Sequence, residues 1–421
     1  MTRYHLALVA ALAALLAPAG RALAQQPREQ RRVDSLAAEV RALKARLDSL
    51  RAQLGRAPIA APVNKDTTAT DELAALRAAA AATVGRDTTQ TADTASERRF
   101  VGRERSLSAL NPEISVAADM RAYGTSTGVQ RDNFDPREVE IGFQSALDPF
   151  SNTKIFVALE GGEVNVEEGY VYWTGVPGHL RLDVGKYRQS FGELNRWHLH
   201  AVPELEYPLA LTTYFGEEGL AGTGVSLYRA FGGLGTHELT AQVTRSASDA
   251  ELFGGAGRPT YLAHLLNFWQ LNRSTYMQLG GSVLYGTNPE SALRTRVSGL
   301  DFRLTWRPPA RALYHEWTLR GELFALTKET AGTGPTRLGG YVGTTYKLNQ
   351  RFIAGVRYDY VESPDFGEIT RQIVPSLTLW QSEFVFLRAQ YQWHKVASAT
   401  ATHQFALQAV WAMGPHKHET Y

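Results

Sequence analysis

From Glu113 to the neighbourhood of Trp411 the chain alternates between apolar and polar residues. In "EVEIGFQSAL", Val139, Ile141 and Phe143 fall on one face and Glu138, Glu140 and Gln144 on the other. "GLDFRLTWR" sets Leu300, Phe302, Leu304 and Trp306 against Asp301, Arg303, Thr305 and Arg307. "FIAGVRYDYV" sets Phe352, Val356, Tyr358 and Tyr360 against Arg357 and Asp359, and "FVFLRAQYQW" and "HQFALQAVW" repeat the theme. A period of two marks a strand with one apolar and one polar face. The pattern predicts about sixteen such strands of roughly ten residues, the length that crosses a bilayer when tilted.

The connections between these strands alternate long and short. Short ones include "DPFSN", "GVPG", "LNR", "LNQ" and "WQSE"; long ones include "GTSTGVQRDNFD", "SASDAELFGGAGRPT", "GTNPESALRT" and "KETAGTGPT". A soluble sandwich or a lipocalin-like barrel has no reason to sort its loops by parity. An outer-membrane barrel does, with short turns facing the periplasm and longer loops facing outside. Trp173, Trp306, Trp317, Trp380, Trp393 and Trp411 lie near strand ends, where interfacial girdles belong. Sixteen strands are also too many to close around a dry core. The expected fold is therefore all-β: a transmembrane antiparallel β-barrel over residues 111–412. With the first connection long, an even strand count puts both termini in the periplasm.

The N-terminal quarter has a different pattern. Arg3, the apolar run Leu6 to Ala17 and the small-x-small triplet Ala22-Leu23-Ala24 form a secretory signal peptide over residues 1–24. Within residues 25–54, Val33, Leu36, Val40, Leu43, Leu47, Leu50 and Leu54 keep a strict 3-4 spacing. That is a heptad seam, and it predicts a short periplasmic coiled coil, a rod of about 33 Å. Residues 55–110 are Thr-, Asp- and Ala-rich and read as a flexible linker, and 413–421 as a periplasmic tail.

Composition narrows the chemistry. Cysteine is absent, which removes disulfides, thiol catalysis and cysteine-based zinc sites. The net charge of +2 implies no bulk polyanion, so no nucleic-acid partner is expected. There is no H-E-x-x-H and no P-loop, which leaves an outer-membrane hydrolase as a weak alternative. His416 and His418 stand on the tail without further ligands. No cofactor or metal is expected.

One connection departs from the rest. Residues 188–218, "RQSFGELNRWHLHAVPELEYPLALTTYFGEE", are too rich in aromatics and proline for a solvated linker. His198 and His200 share this stretch with Glu193, Glu204 and Glu206, in no spacing that specifies a metal or acid–base site. The loop is third among the long connections, and packing it inside a wet barrel would hold it in one shape and narrow the lumen. The candidate pore-lining cations are Arg181, Lys186, Arg188, Arg196, Arg303, Arg307, Arg320, Arg357 and Arg388, with Asp183, Asp301, Glu322 and Asp359 on the same faces. Arginine rings favour anions and carboxylate rings favour cations, and these faces mix the two.

The stretch from Gly185-Lys186 through Phe191-Gly192, Glu193, Pro203, Pro208 and Gly216-Glu217-Glu218-Gly219 to Gly222 and Gly224 resembles the signature region of the phosphate-selective porin O and P family. A looser similarity extends over residues 113–421. The resemblance implies a sixteen-stranded, usually trimeric outer-membrane porin whose third external loop folds into the lumen. In its anion-selective members lysines and arginines line that constriction. Here residues 188–218 hold Arg188 and Arg196 but also Glu193, Glu204, Glu206, Glu217 and Glu218, so no basic run marks an anion funnel. The expected function is a passive channel for small hydrophilic solutes, among them anions such as phosphate. The expected partners are outer-membrane lipid, two further copies of the chain, and the cell wall through the coiled coil. A barrel that merely anchors the coiled coil is the structural alternative.

Overall fold

A computed structural model describes residues 112–414 except 128–131, 248–249, 251, 255–256, 290–292 and 331–333. The signal peptide, the Val33–Leu54 heptad, the linker and the tail beyond Gly414 lie outside the described residues.

The alternating segments form β1 (Glu113–Thr125), β2 (Asp132–Ala146), β3 (Ser151–Glu160), β4 (Glu163–Val176), β5 (Leu180–Arg188), β6 (Ala221–Gly232), β7 (Thr236–Ala247) and β8 (Thr260–Asn272). They continue as β9 (Thr275–Thr287), β10 (Arg294–Trp306), β11 (Trp317–Lys328), β12 (Thr336–Lys347), β13 (Phe352–Glu362), β14 (Ile369–Trp380), β15 (Val385–Val396) and β16 (Thr402–Met413). Every strand pairs with its sequence neighbours, and β16 pairs antiparallel with β1 from Val116↔Met413 to Thr125↔Gln404, which closes the sheet. Closure leaves the sheet without an edge strand, which is how a sheet can stand in a bilayer.

Which face is inside is settled by adjacent residues. On β11 Glu322 is 2% exposed and the next residue, Leu323, 62%; on β13 Arg357 is 1% exposed and Val356 43%. Asp119, Glu140, Asp301, Asp359, Arg388 and Gln408 are buried, while Val225, Val283, Leu300, Val342, Ile373, Leu387 and Phe405 are exposed. A soluble β-protein has the opposite arrangement. An apolar exterior around a charged interior is what a bilayer requires of a barrel. No helix among the described residues is long and apolar enough to cross a membrane.

Trp306 and Trp317 are cross-strand partners at the foot of β10 and β11, and Trp380 packs on Phe386 with ring centroids 4.9 Å apart. With Trp173 and Trp411 they stand at the end of the barrel that carries the short turns and both barrel termini. Trp393 lies on β15 nearer the long connections.

The connection from β5 to β6 turns inward. Its first and last residues are tied by Gln189 N–H donating to Leu220 O at 3.0 Å. Asn195 completes this neck: its Nδ2 donates to Gln189 O (2.7 Å) and Leu220 O (2.9 Å), and its Oδ1 accepts from Leu220 N–H (2.7 Å). Beyond the neck lie two single-turn 3-10 segments and one short helix, α1 (Leu209–Phe215). Pro208 stands immediately before α1, where its missing N–H removes no helical bond. Gly216 follows it at φ +94°, a conformation that favours glycine and ends the helix.

Candidate functional site

The loop builds an apolar core on one side of the lumen. Phe191 stacks on Phe324 of β11 (centroids 5.6 Å, planes 17° apart) and meets Phe215 edge-on at 5.1 Å. Leu194, Tyr207, Leu211, Tyr214 and Leu220 are buried with them against Leu284, Val297, Leu326, Tyr341 and Val361 of the wall. α1 rests on β12 and β13; a Cβ at Gly339 would stand 3.0 Å from that of Ala210, so glycine there leaves room for the helix. Tyr214 donates its hydroxyl to Glu362 O at 3.1 Å. The inward positions of β11 change from polar at Arg320 and Glu322 to apolar at Phe324 and Leu326 because the loop packs on that stretch.

Elsewhere the loop meets charge with charge. Glu193 accepts from Arg303 Nη1 at 2.7 Å, with Arg320 Nη1 at 3.6 Å and the Arg320 guanidinium over the Trp197 ring at 5.1 Å. Glu204 accepts from Arg357 Nη1 at 2.8 Å, and Arg357 also donates to Asp359 at 2.9 Å. Glu206 pairs with Arg121 at 3.2 Å. Arg188 is held by Glu167 (2.6 Å), the Tyr207 hydroxyl (2.9 Å) and Glu218 O (2.6 Å).

The segment from Val202 to Tyr207 has no ladder partner, and wall arginines donate to several of its carbonyls. Arg388 donates to Val202 O (3.0 Å) and Glu204 O (2.7 Å), Arg137 to Leu205 O (2.5 Å), and Arg357 to Glu206 O (2.9 Å). Irregular backbone at membrane depth needs such donors. Arg121, Arg137, Arg303, Arg320, Arg357 and Arg388 of the wall therefore serve the loop and its glutamates.

The nine cations predicted to line a pore separate accordingly. Arg188, Arg357 and Arg388, buried, and Arg303 and Arg320, partly buried, come together around the loop as its anchors. Arg181, bound to Asp183 at 2.7 Å, and Arg196 border a cavity of about 210 Å³. Arg307 falls outside the group: it lies past the end of β10 on a short turn, half-exposed, with Glu316 at 3.3 Å. Lys186 is corrected as well. Five residues from the inward Arg181, it shares the parity of the exposed Val184, and its ammonium donates to Val166 O on the outer side, at 2.5 Å. Along the regular part of β5 a period of two puts residues five apart on opposite faces.

Sequence reasoning missed an acidic cluster opposite the loop histidines. His198 Nδ1 lies 2.5 Å from Glu140 and 2.8 Å from Glu167, and its Nε2 lies 3.6 Å from Glu168; His200 Nδ1 stands 3.7 Å from Glu138. Burial opposes a charge on His198, but Glu140 and Glu167 outweigh it and hold its pKa well above the ordinary 6.5. For His200 burial is likewise overcome, by Glu138 and Glu140. Glu167 and Glu168 both reach this cluster because the β3–β4 register shifts between Phe156 and Val157, which leaves Glu167 as the extra residue. Such bulges re-aim side chains. The signal was present in the sequence: strict alternation after Val164 and Val166 would aim Glu168 at lipid.

The polar cavity lies between the loop and β3–β7. Lys154, Arg181, Arg188 and Arg196 line it beside Glu168, Asp183 and Glu238.

No family model matches the chain. A curated protein from Aquifex aeolicus (strain VF5), itself described as uncharacterized, is 29% identical over 131 residues; the match takes in 30% of this chain but only 28% of the relative's length. Among solved structures, an anion-selective porin from Comamonas acidovorans aligns with 72% of this chain and 99% of its own at a TM-score of 0.53 and 9% identity. OprB of Pseudomonas putida aligns with 72% of this chain and 94% of its own at 0.50 and 8%. At these identities the likeness is one of fold. The fold is that of the outer-membrane porins: a closed sixteen-stranded antiparallel barrel.

Proposed function

We propose that this barrel is a passive outer-membrane channel through which water, inorganic ions and other small hydrophilic solutes pass beside the inward loop. The observation that carries this is the asymmetry of the lumen. The loop seats its apolar side on the wall around β11–β13 and leaves a polar cavity of about 210 Å³ against β3–β7. In this reading the long connections face outside, the chain termini lie in the periplasm, and residues 188–218 are the constriction.

The anion or phosphate preference implied by the sequence resemblance would rest on Lys154, Arg181 and Arg196, with Arg188 beside them already held by Glu167. Glu168, Asp183 and Glu238 share that cavity, and mixed charges attract neither sign strongly. We therefore infer a weak preference. Planar-bilayer recording tests both parts: ohmic steps are expected, and their absence overturns the channel. Under a salt gradient, R181A/R196A is expected to move the reversal potential toward cations. An unchanged potential removes the cavity as the conduit. Assembly as a trimer belongs to the same proposal; a monomeric mass in detergent by light scattering would remove it.

A further inference from the structure

The structure assigns a divalent-cation site to Glu138 and Glu140 of β2 together with His200 of the inward loop. One carboxylate oxygen from each glutamate and one imidazole nitrogen lie within 4.8 Å of one another, and all three residues are buried. His200 Nδ1 and Glu138 Oε2 are 3.7 Å apart. That is too long for a hydrogen bond and close to the separation of about 3.4 Å between two ligands on a tetrahedral zinc with bonds near 2.05 Å.

A second observation points to a cation. Glu138 is 2% exposed, yet its Oε1 has no hydrogen-bond partner. Its cross-strand partner on β1 is Asp119, equally buried, whose Oδ1 also lacks one. Asp119 Oδ2 is occupied by Gln408 Nε2 at 2.7 Å and Arg137 at 3.3 Å, which leaves nothing for the remaining two oxygens. Like charges directly opposite on a sheet destabilise it, and buried carboxylate oxygens without partners cost more. A cation beside Glu138 offsets that repulsion and stands next to the unpartnered carboxylate.

The neighbouring residues suit an outer shell. His198 contacts Glu140 and Glu167 through Nδ1, so it orients the carboxylate that would bridge toward the ion. One imidazole and two carboxylates form a donor set for zinc or a similar transition ion, whereas calcium and magnesium prefer oxygen alone. Glu140 also belongs to a tighter trio with Glu167 and His198, but there the nitrogen already sits 2.5–2.8 Å from both carboxylates. We assign the ion to the looser trio. Bound there, it joins β2 to the loop and adds a cross-link to the anchors made by Arg357 and Arg388. The assignment is independent of solute passage, because binding is read without any conductance measurement.

The experiment is zinc titration by calorimetry on the refolded, EDTA-treated, untagged full chain. H416A/H418A is the parent, so that the tail histidines contribute nothing. One equivalent is expected to bind saturably and raise the thermal midpoint. E138Q and H200A are each expected to weaken binding by more than about 100-fold, beyond what loss of an outer-shell partner costs. Circular dichroism and gel mobility show which variants have folded; E138Q keeps the side-chain shape and serves if H200A does not fold. X-ray absorption of the loaded parent is expected to show one imidazole. No saturable binding, unchanged binding in E138Q, or a shell with two imidazoles or none overturns the assignment. So does loss of binding in H198A with none in H200A.

Discussion

Arg357 and Glu204 are 153 residues apart in the chain, and Arg357 Nη1 lies 2.8 Å from Glu204 Oε2 inside the barrel. Both side chains are almost wholly buried, and the same guanidinium also holds Asp359 and the carbonyl of Glu206. The loop is thus anchored to β13 by a charge that has no access to bulk water.

Removing the cation should therefore be worse than removing one anion. R357M strands both Glu204 and Asp359, at a cost of about 3–5 kcal/mol expected for breaking a buried pair. E204Q leaves Arg357 bound to Asp359, with an expected loss of about 1–3 kcal/mol. Denaturant unfolding in detergent measures the order, and limited proteolysis should cut the loop sooner in R357M. Equal or negligible losses would mean that the pair does not anchor the loop.

Gly192 has φ +61°, and a Cβ there would stand 1.8 Å from Glu322 Oε2. Glu322 receives the Leu194 N–H and the Tyr341 hydroxyl, each at 3.0 Å. G192A is expected to cost about 1–3 kcal/mol from backbone strain, besides displacing that carboxylate. A thermal midpoint equal to that of the parent contradicts the loop path described.

Lys186 and Arg196 are both basic residues of the signature stretch, but only Arg196 borders the polar cavity. In a salt gradient R196A should shift the reversal potential and K186A should leave it where it was. The reverse result would put the passage elsewhere.

In the turn between β2 and β3, Asp148 accepts from Ser151 Oγ (2.6 Å), Phe150 N–H (2.7 Å) and Ser151 N–H (2.8 Å). The Ser151 hydroxyl and the Phe150 amide lower its pKa below the ordinary 3.8. A lowered carboxylate pKa stabilises the fold above the unfolded value and loses that contribution as pH falls through the folded one. The stability gap between wild type and D148A should be full at neutral pH and shrink only below 3.8. A gap that stays constant down to strong acid points to a steric role for the turn.

The barrel was legible because its rules are local. Alternation at Val139–Phe143 or Leu300–Trp306 reports the two faces of a strand without knowledge of any neighbour, and loop lengths report parity along the chain. Even the misplacement of Lys186 was readable, since it stands five residues from Arg181. The adjacent Glu167 and Glu168 likewise announced a bulge, because one of two neighbouring charges on a regular strand would face lipid.

The sequence by itself determined a strand-rich barrel with a charged interior and one loop unlike the others. It also showed that this loop carries both arginines and glutamates. Only the tertiary structure decided what those charges do: Glu193 meets Arg303, Glu204 meets Arg357, and the histidines meet carboxylates of β2 and β4. Strand patterning depends on residues two apart, but these pairings join positions from thirty to more than a hundred apart. They exist because sheet closure and an inward turn bring them within a few ångströms, which no local period encodes.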